Sequence, residues 1–226
     1  MLHWVQASKM LHVITHVNSN RNIDRTRCLG SIQANLTTQV RHHMIPLRCN
    51  THQEFLVERY RALSLGDLVC FVDDDDFLES SSVFQLIIDA FNTFPNIGCV
   101  YTDEYRYHSQ STIIHSKSGS TYESVFDSAQ RIHHLVAYRS ACVNKESLNI
   151  ALKAGCGLEW AMTAQSMLTH GAVYIPIPAY NWVLHSQQIT NLVNHNFKNI
   201  KPLFHDQFKQ WQRNFGNVVV YTHKNS

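Results

Sequence analysis

The sequence predicts an α/β fold, with a mostly parallel central sheet flanked by helices and a smaller subregion in its second half. Three observations predict it. Strand-like and helix-like segments alternate from Leu11 to Asp103, the pattern of βαβ units. "DLVCFV" (67–72) is a short unbroken apolar run, as expected of a strand covered on both faces. The intervening segments space apolar residues three and four apart and carry helix-end signals.

In chain order, "LHVITHV" (11–17) is the first predicted strand and "NSNRN" the turn after it. Cys28, Leu29, Ile32 and Leu36 mark a helix. "HHMIPLRC" is a weaker second strand. "THQEFLVERYRALSLG" is a helix with Thr51 as N-cap, Glu54 completing a capping box, and Gly66 as its stop. After "DLVCFV", Ser80–Ser82 supply a cap. Val83, Leu86, Ile87, Ala90, Phe91 and Phe94 form a buried stripe that Pro95 ends. "IGCVYTD" is the next strand. Beyond it the pattern loosens: a polar stretch (106–126) fits a hairpin plus a mobile loop, and "IHHLVAYRSACVNK" a strand leading into a short element. "LEWAMTAQSMLTHG" is a helix with a glycine stop. "AVYIPIPAYNWVLH" is kept extended by its prolines, and a C-terminal helix starts or breaks near Pro202. One domain covers the 226 residues; there is no repeat or low-complexity linker.

Composition narrows the class. At 44% hydrophobic and 11% aromatic the chain is globular, and a formal charge of +2 argues for neither nucleic acid nor an anionic membrane. Fifteen histidines make the surface more positive as pH falls below about 6.5. Six cysteines occur without a CxxC pair, which disfavours a zinc ribbon or redox motif, and Cys70 and Cys99 sit in apolar runs. These features predict a reducing, cytoplasmic setting. No leader-like core and no integral membrane segment is found. The lack of a Gly-rich phosphate loop sets aside dinucleotide enzymes and P-loop ATPases.

Four consecutive carboxylates, Asp73, Asp74, Asp75 and Asp76, follow the apolar run. Ligands of open α/β sheets bind outside the carboxyl ends of strands. Strand alternation would make Asp73 and Asp75 project alike. Hard divalent cations choose carboxylate oxygens and share them with substrate phosphates. The competing reading is a solvated acidic turn that favours the next helix N-terminus.

"FVDDDDFL" resembles the "FLDaDDwL" signature of family 2 glycosyltransferases with a GT-A (Rossmann-like) fold. The likeness extends outward. "HVITHVNSNR" resembles their first strand and "PTYNR" turn, and "LGSIQANL" the helix after it. "ERYRALSLGDLVCFVDDDD" is similar to "aRNrgl..a.GdyiaflDaDD", "CVYTDEY" to "vvYtDed", and "HLVAYR" to "h.v.fRr". "GLEWAMTAQSMLTHGAVYIPIPAYNWVLHSQQIT" follows the closing pattern "G.EDydlwlRla..G.i.yip.plY.yR.H..s.s". The resemblance spans roughly residues 11 to 195. It divides the domain into a nucleotide-sugar half (11–103), an acceptor and catalytic half (104–195), and a C-terminal helix and tail (196–226).

The resemblance implies an inverting transfer of a sugar from a nucleotide-diphosphate sugar to an acceptor hydroxyl, with Mn²⁺ or Mg²⁺ on the diphosphate. Asp73, Asp75 and His185 match the metal positions, with Asp75 as first choice. Thr15, Asn18, Arg21, Arg59 and Asp73–Asp76 would line the nucleotide sugar. The family's base is the Asp of an "ED" pair. Here the pair is Glu159-Trp160, so either Glu159 serves or the base is missing. Asp103, His134, Arg139 and Trp160 fall on the acceptor side. The family's "vvDdgS" aspartate, which contacts uracil, has no counterpart in "IPLRCN", so UDP is only the default donor base. The acceptor is a saccharide, or a modified base in DNA touched by Arg41–His43, Arg59–Arg61 and "FKNIKP". A metal-dependent nuclease using Asp103 and Glu104 as further ligands, and a non-catalytic sugar-nucleotide-binding module, are the rival classes.

Overall fold

The computed structural model describes residues 9–18, 21–48, 51–108, 111–117, 132, 134–185, 197–215 and 219–223. Nine strands form one sheet: β1 (Leu11–Asn18), β2 (Val40–Leu47), β3 (Leu68–Phe71), β4 (Phe77–Leu78), β5 (Cys99–His108), β6 (Ser111–His115), β7 (Val136–Arg139), β8 (Ala172–Val183) and β9 (Val220–Thr222). Their order is β2-β1-β3-β7-β5-β8-β4, with β6 beside β5 and β9 beside β8. β1, β2, β3, β5, β8 and β9 point one way, while β4, β6 and β7 run against them. The sheet is thus mostly parallel, as predicted. β7, inserted antiparallel between β3 and β5, brings its own start to the end where β3 finishes.

Burial on both faces explains the unbroken apolar runs. Val69 and Phe71 face one core with Ile14, Tyr138 and Trp160; Leu68, Cys70 and Val72 face the other with Val13, Phe84 and Phe91. Helices α1 (Thr26–Ala34) and α3 (Val83–Thr93) cover the second face. Helices α2 (His52–Arg61), α4 (Lys145–Ala154), α5 (Leu158–His170) and α6 (Phe197–Phe215) cover the first. Pro46 lies in β2, an edge strand, where a missing N–H is tolerated.

Several expectations are refined. The Thr51 hydroxyl accepts the Glu54 N–H (3.3 Å), as the capping box requires. Ser82 precedes α3 but its side chain caps nothing; Asn35 Oδ1 accepts the Phe84 N–H instead (3.3 Å). Phe84 and Ile88 join the buried stripe of α3, whereas Leu86 and Phe94 are half-buried. The predicted hairpin is β5–β6, with His108 opposite Ser111. The loop expected beyond it falls mostly on residues 118–131, outside the described residues. α4 replaces the "short element": Asn144 accepts the Glu146 N–H (2.9 Å) and Gly155 closes the helix at φ +71°. α6 continues through Pro202. Among the described residues no helix is long and apolar enough to cross a membrane, and five cysteines (28, 70, 99, 142, 156) are free and buried.

Candidate active site

β3 stops at Phe71, and the Val72 N–H still reaches Ile14 O (3.0 Å). The chain then turns, and the Asp76 N–H donates to Asp73 O (3.2 Å). Strand alternation therefore ends before the aspartates. Instead of Asp73 with Asp75, it is Asp73 and Asp76 that share one side. A short strand, β4, follows and pairs with β8.

Three guanidiniums make the run tolerable. Arg21 contacts Asp74 Oδ1 (3.4 Å) and Asp75 Oδ2, and Arg25 Nε donates to Asp74 Oδ2 (2.8 Å). Arg59 Nη2 joins Asp73 Oδ1 (3.0 Å) to Glu159 Oε1 (2.8 Å). Arg59 is 3% exposed and lies over the rings of Phe55 and Phe71. Burial alone would lower its pKa, but Glu159 and Asp73 hold it above the ordinary guanidinium value. Counted as ionised, Asp73–Asp76 and Glu159 outnumber these guanidiniums by two charges, the charge of one divalent cation. The strain shows at Asp76, whose carboxyl is pushed well above the usual range by burial and then by Asp75 and Asp73.

Oxygen and nitrogen donors converge beside these ion pairs. Ligand atoms of Asp73, Asp76 and His134 all lie within 4.8 Å of one another. His134 is delivered by the start of antiparallel β7. Its ring stacks on Tyr180 (centroids 4.8 Å apart, planes 6° apart) and tilts against Trp182 (5.6 Å). The Tyr180 hydroxyl donates to Asp76 Oδ2 (2.8 Å) and accepts the Asp73 N–H (3.1 Å), while the Val183 N–H donates to Asp76 Oδ1 (2.8 Å). Two carboxylates and an imidazole, oriented by partners behind them, suit Mn²⁺ and are acceptable to Mg²⁺.

The structure gathers most predicted site residues at this end of the sheet. Asn18 O accepts from Arg25 Nη2 (2.7 Å) and from the Arg21 N–H. Asp75, the expected first ligand, is engaged by Arg21 and by His185 Nε2 (2.9 Å). Glu159 stands in the first turn of α5. Gly157 precedes it at φ +77°, where a side chain would also meet the Phe204 ring 2.8 Å away. Thr15 is buried within β1 against His42 Nε2 (3.0 Å).

Three acceptor-side expectations land elsewhere. Arg139 pairs across from Leu68, at the opposite end of β3, and donates to Ile97 O and Pro95 O after α3. Trp160 is 2% exposed and stacks on Phe204, because its helix turns that face to the core. Asp103 is buried and accepts from Tyr174 Oη (2.9 Å) and the Lys117 N–H (2.5 Å). Of the basic groups considered for DNA, Arg59 is buried in ion pairs and Arg61 pairs with Glu58. The side chains of residues 197–201 lie outside the described residues, as do residues 186–195 of the closing pattern. Arg25 and Tyr180 were not singled out from sequence. A second arginine four residues after Arg21 was the available signal for Arg25.

No family model matches the chain, and no curated protein matches it. Solved structures do. The chain is similar to the crystal structure of S. aureus TarS 1-349 at TM-score 0.55 and 12% identity, over 92% of this chain and 73% of that one. It is similar to a second crystal structure of S. aureus TarS at TM-score 0.57 and 13% identity, over 91% of this chain but 42% of that one. At such identities the likeness is one of fold: a mixed α/β domain with a mostly parallel central sheet flanked by helices.

Proposed function

We propose that the protein is a glycosyltransferase of the inverting, family 2 type, moving a sugar from a nucleotide-diphosphate sugar to an acceptor hydroxyl. The observation that carries this reading is the convergence of Asp73, Asp76 and His134 ligand atoms within 4.8 Å at the C-terminal end of β3. Its support is the likeness in fold to TarS, a glycosyltransferase. A divalent cation bound there supplies neutralisation of the leaving diphosphate. The chain's own groups do the rest. Glu159 accepts the proton of the acceptor hydroxyl as its oxygen attacks the anomeric carbon and the bond to the diphosphate breaks. Arg59, between Asp73 and Glu159, holds the base at a fixed place relative to the aspartates. Arg21 and His185, grouped on Asp75, turn to the diphosphate. Asn18 belongs to the nucleotide side and His134 to the border with the acceptor, whereas Thr15, buried within β1, touches His42 and not the donor.

The donor base defaults to uracil and the acceptor to a saccharide, in a single domain working in a reducing cytoplasm. The DNA alternative loses Arg59 to buried ion pairs, while Arg61 keeps only an exposed pair with Glu58. The test is a screen of nucleotide sugars by thermal shift and turnover, with Mn²⁺ and with EDTA. A Mn²⁺-dependent rise in melting temperature with one nucleotide, abolished in Asp73→Asn, is expected. No shift and no turnover with any nucleotide sugar overturns the reading.

A further inference from the structure

We infer that the β5–β6 hairpin carries an acceptor subsite, in which Tyr105 and Tyr107 form a stacking platform for a neutral saccharide chain leading to the aspartate run. The inference rests on the functional reading above and names where and how its acceptor is held. β5 outruns its neighbours β3 and β7. Its pairing with β7 ends at Tyr101, level with the end of β3, but the strand continues to His108 between β6 and β8. At about 3.3 Å per residue, this extension carries the hairpin roughly 20 Å past the end of β3.

Positions two apart share a face of a strand, so Tyr105 and Tyr107 project together. Both are half-buried. Their ring centroids lie 6.4 Å apart, and Tyr107 leans on Phe77, with centroids 5.7 Å apart. Phe77 follows Asp76 directly; it is buried, and the Arg27 guanidinium lies 3.9 Å from its ring centroid. The line of rings thus starts at the aspartate run and leads outward. Ile114, opposite Tyr105 across the hairpin and 56% exposed, extends it. The backbone ties this line to the site: the Leu184 N–H donates to Tyr107 O (2.9 Å), and the next residue, His185, contacts Asp75.

Three features fit a saccharide. The C–H face of a sugar ring is apolar and its rim polar, which matches a tyrosine's flat face and polar tip. Among the described residues, neither the Tyr105 nor the Tyr107 hydroxyl has a hydrogen-bond partner, so both are free to meet that rim. The ring spacings are close to the repeat of one sugar unit in a linear chain. Charge then argues against a nucleic-acid strand, which needs a row of uncommitted cations along its phosphates. Arg106, on the other face of β5, is committed to Glu104 (2.7 Å), which leaves Arg27 as the one arginine beside the platform without an ion pair among the described residues.

The probes are linear tetrasaccharides of glucose, of galactose and of N-acetylglucosamine, with a single-stranded oligonucleotide as contrast. Binding to the full chain is read by magnetisation transfer from its aromatic protons to the probe, and donor binding by the Mn²⁺-dependent thermal shift. Wild type is expected to pass magnetisation to the ring C–H protons of at least one tetrasaccharide. Tyr107→Ala should weaken that binding about five- to tenfold, whereas Tyr107→Phe, which keeps the flat ring, should stay within about threefold of wild type. The donor thermal shift should be the same in all three proteins. Should Tyr107→Ala not fold, Tyr105→Ala takes its place with the same expectation. Undiminished tetrasaccharide binding in the folded alanine variant overturns the inference. So does a wild type that binds no tetrasaccharide, or one that binds only the oligonucleotide. The two readings fail separately. A chain that shifts with a nucleotide sugar but binds no tetrasaccharide stays a glycosyltransferase whose acceptor sits elsewhere. A chain that binds a tetrasaccharide through Tyr107 but no nucleotide sugar keeps the platform and loses the transferase reading.

Discussion

Among the described residues, the Asp73–Asp76 carboxylates at the end of β3 crowd one another, whereas Asp103 and Glu104 in β5 are each held by hydrogen-bond or charged partners. Glu104 is 0% exposed and contacts Arg106 Nε (2.7 Å), His115 Nδ1 (3.1 Å) and Lys117 Nζ (3.4 Å). Burial alone would raise its pKa, but Lys117, His115, His134 and Arg106 hold it far below the usual range. Asp76, equally buried, is shifted the other way, by burial and then by Asp75 and Asp73. The two regions nearly touch through the His134 N–H. What separates them is the sign of the nearest charges: cations surround Glu104, whereas further carboxylates crowd Asp76. A two-metal nuclease would need Asp103 and Glu104 as ligands, and both are already engaged.

The comparison breaks most visibly in stability. Glu104→Gln leaves Lys117, itself 0% exposed, without its carboxylate, and breaking a buried pair from one side costs about 3–5 kcal/mol. Asp75→Asn should cost within about 1 kcal/mol, because its lost contacts to Arg21 and His185 are offset by relief of repulsion on Asp74 and Asp76. Urea unfolding of both variants measures this. Equal losses would show that the two acidic regions are the same kind of structure.

A smaller effect concerns what the cations of the run do to their neighbours. His16, packed among Phe55 and Phe71, is held at about 4 by burial first and the charge of Arg59 second. Its folded value lies below the unfolded one. The unfolded chain therefore takes up a proton first as pH falls, and stability is lost between about 6.5 and about 4. At about 1.4 kcal/mol per unit the loss is on the order of 3 kcal/mol. His16→Phe keeps an aromatic ring between Phe55 and Phe71 and should flatten this part of the profile. A urea midpoint that still falls as steeply in the variant would refute the assignment.

The same contrast marks how far the sequence could be read. The apolar runs announced β3 and the buried sheet, because a strand covered on both faces favours an unbroken apolar run. "THQE" announced the cap of α2, since that pattern is closed within one turn. The aspartates announced a charge problem. Their directions were not legible: alternation was extrapolated through Asp75, but the strand ended at Phe71 and a turn paired Asp73 with Asp76. Arg139 looked like a site residue because it follows His134 by five residues in "HHLVAYR". β7 runs antiparallel, so those five positions lead to the far end of the sheet. Asp103 and Glu104 alternate, yet both are buried because the sheet is covered on both faces; the register against β8 shifts on either side of Asp103. Strand direction and bulges are set by long-range pairing, which one chain's local pattern does not record.

The finest test is the slope at Asp76 in metal-free protein. Its folded value is raised, so the folded chain binds the proton more tightly than the unfolded chain. Stability from this group is present below the ordinary carboxylate range and declines as pH rises through the folded value. Asp76→Asn has no proton to lose. Its Oδ1 can still accept the Val183 N–H, but the buried Tyr180 hydroxyl loses the carboxylate oxygen it donates to, so the substitution should carry a pH-independent cost of about 1–3 kcal/mol. In EDTA, wild type should lose stability relative to Asp76→Asn as pH rises toward neutrality. Adding Mn²⁺ should restore wild type and leave the variant where it was, because only the carboxylate supplies the charge the cation needs. Parallel profiles in EDTA would mean that Asp76 is not crowded by Asp75 and Asp73. The run would then be a solvated acidic turn whose three guanidiniums already suffice.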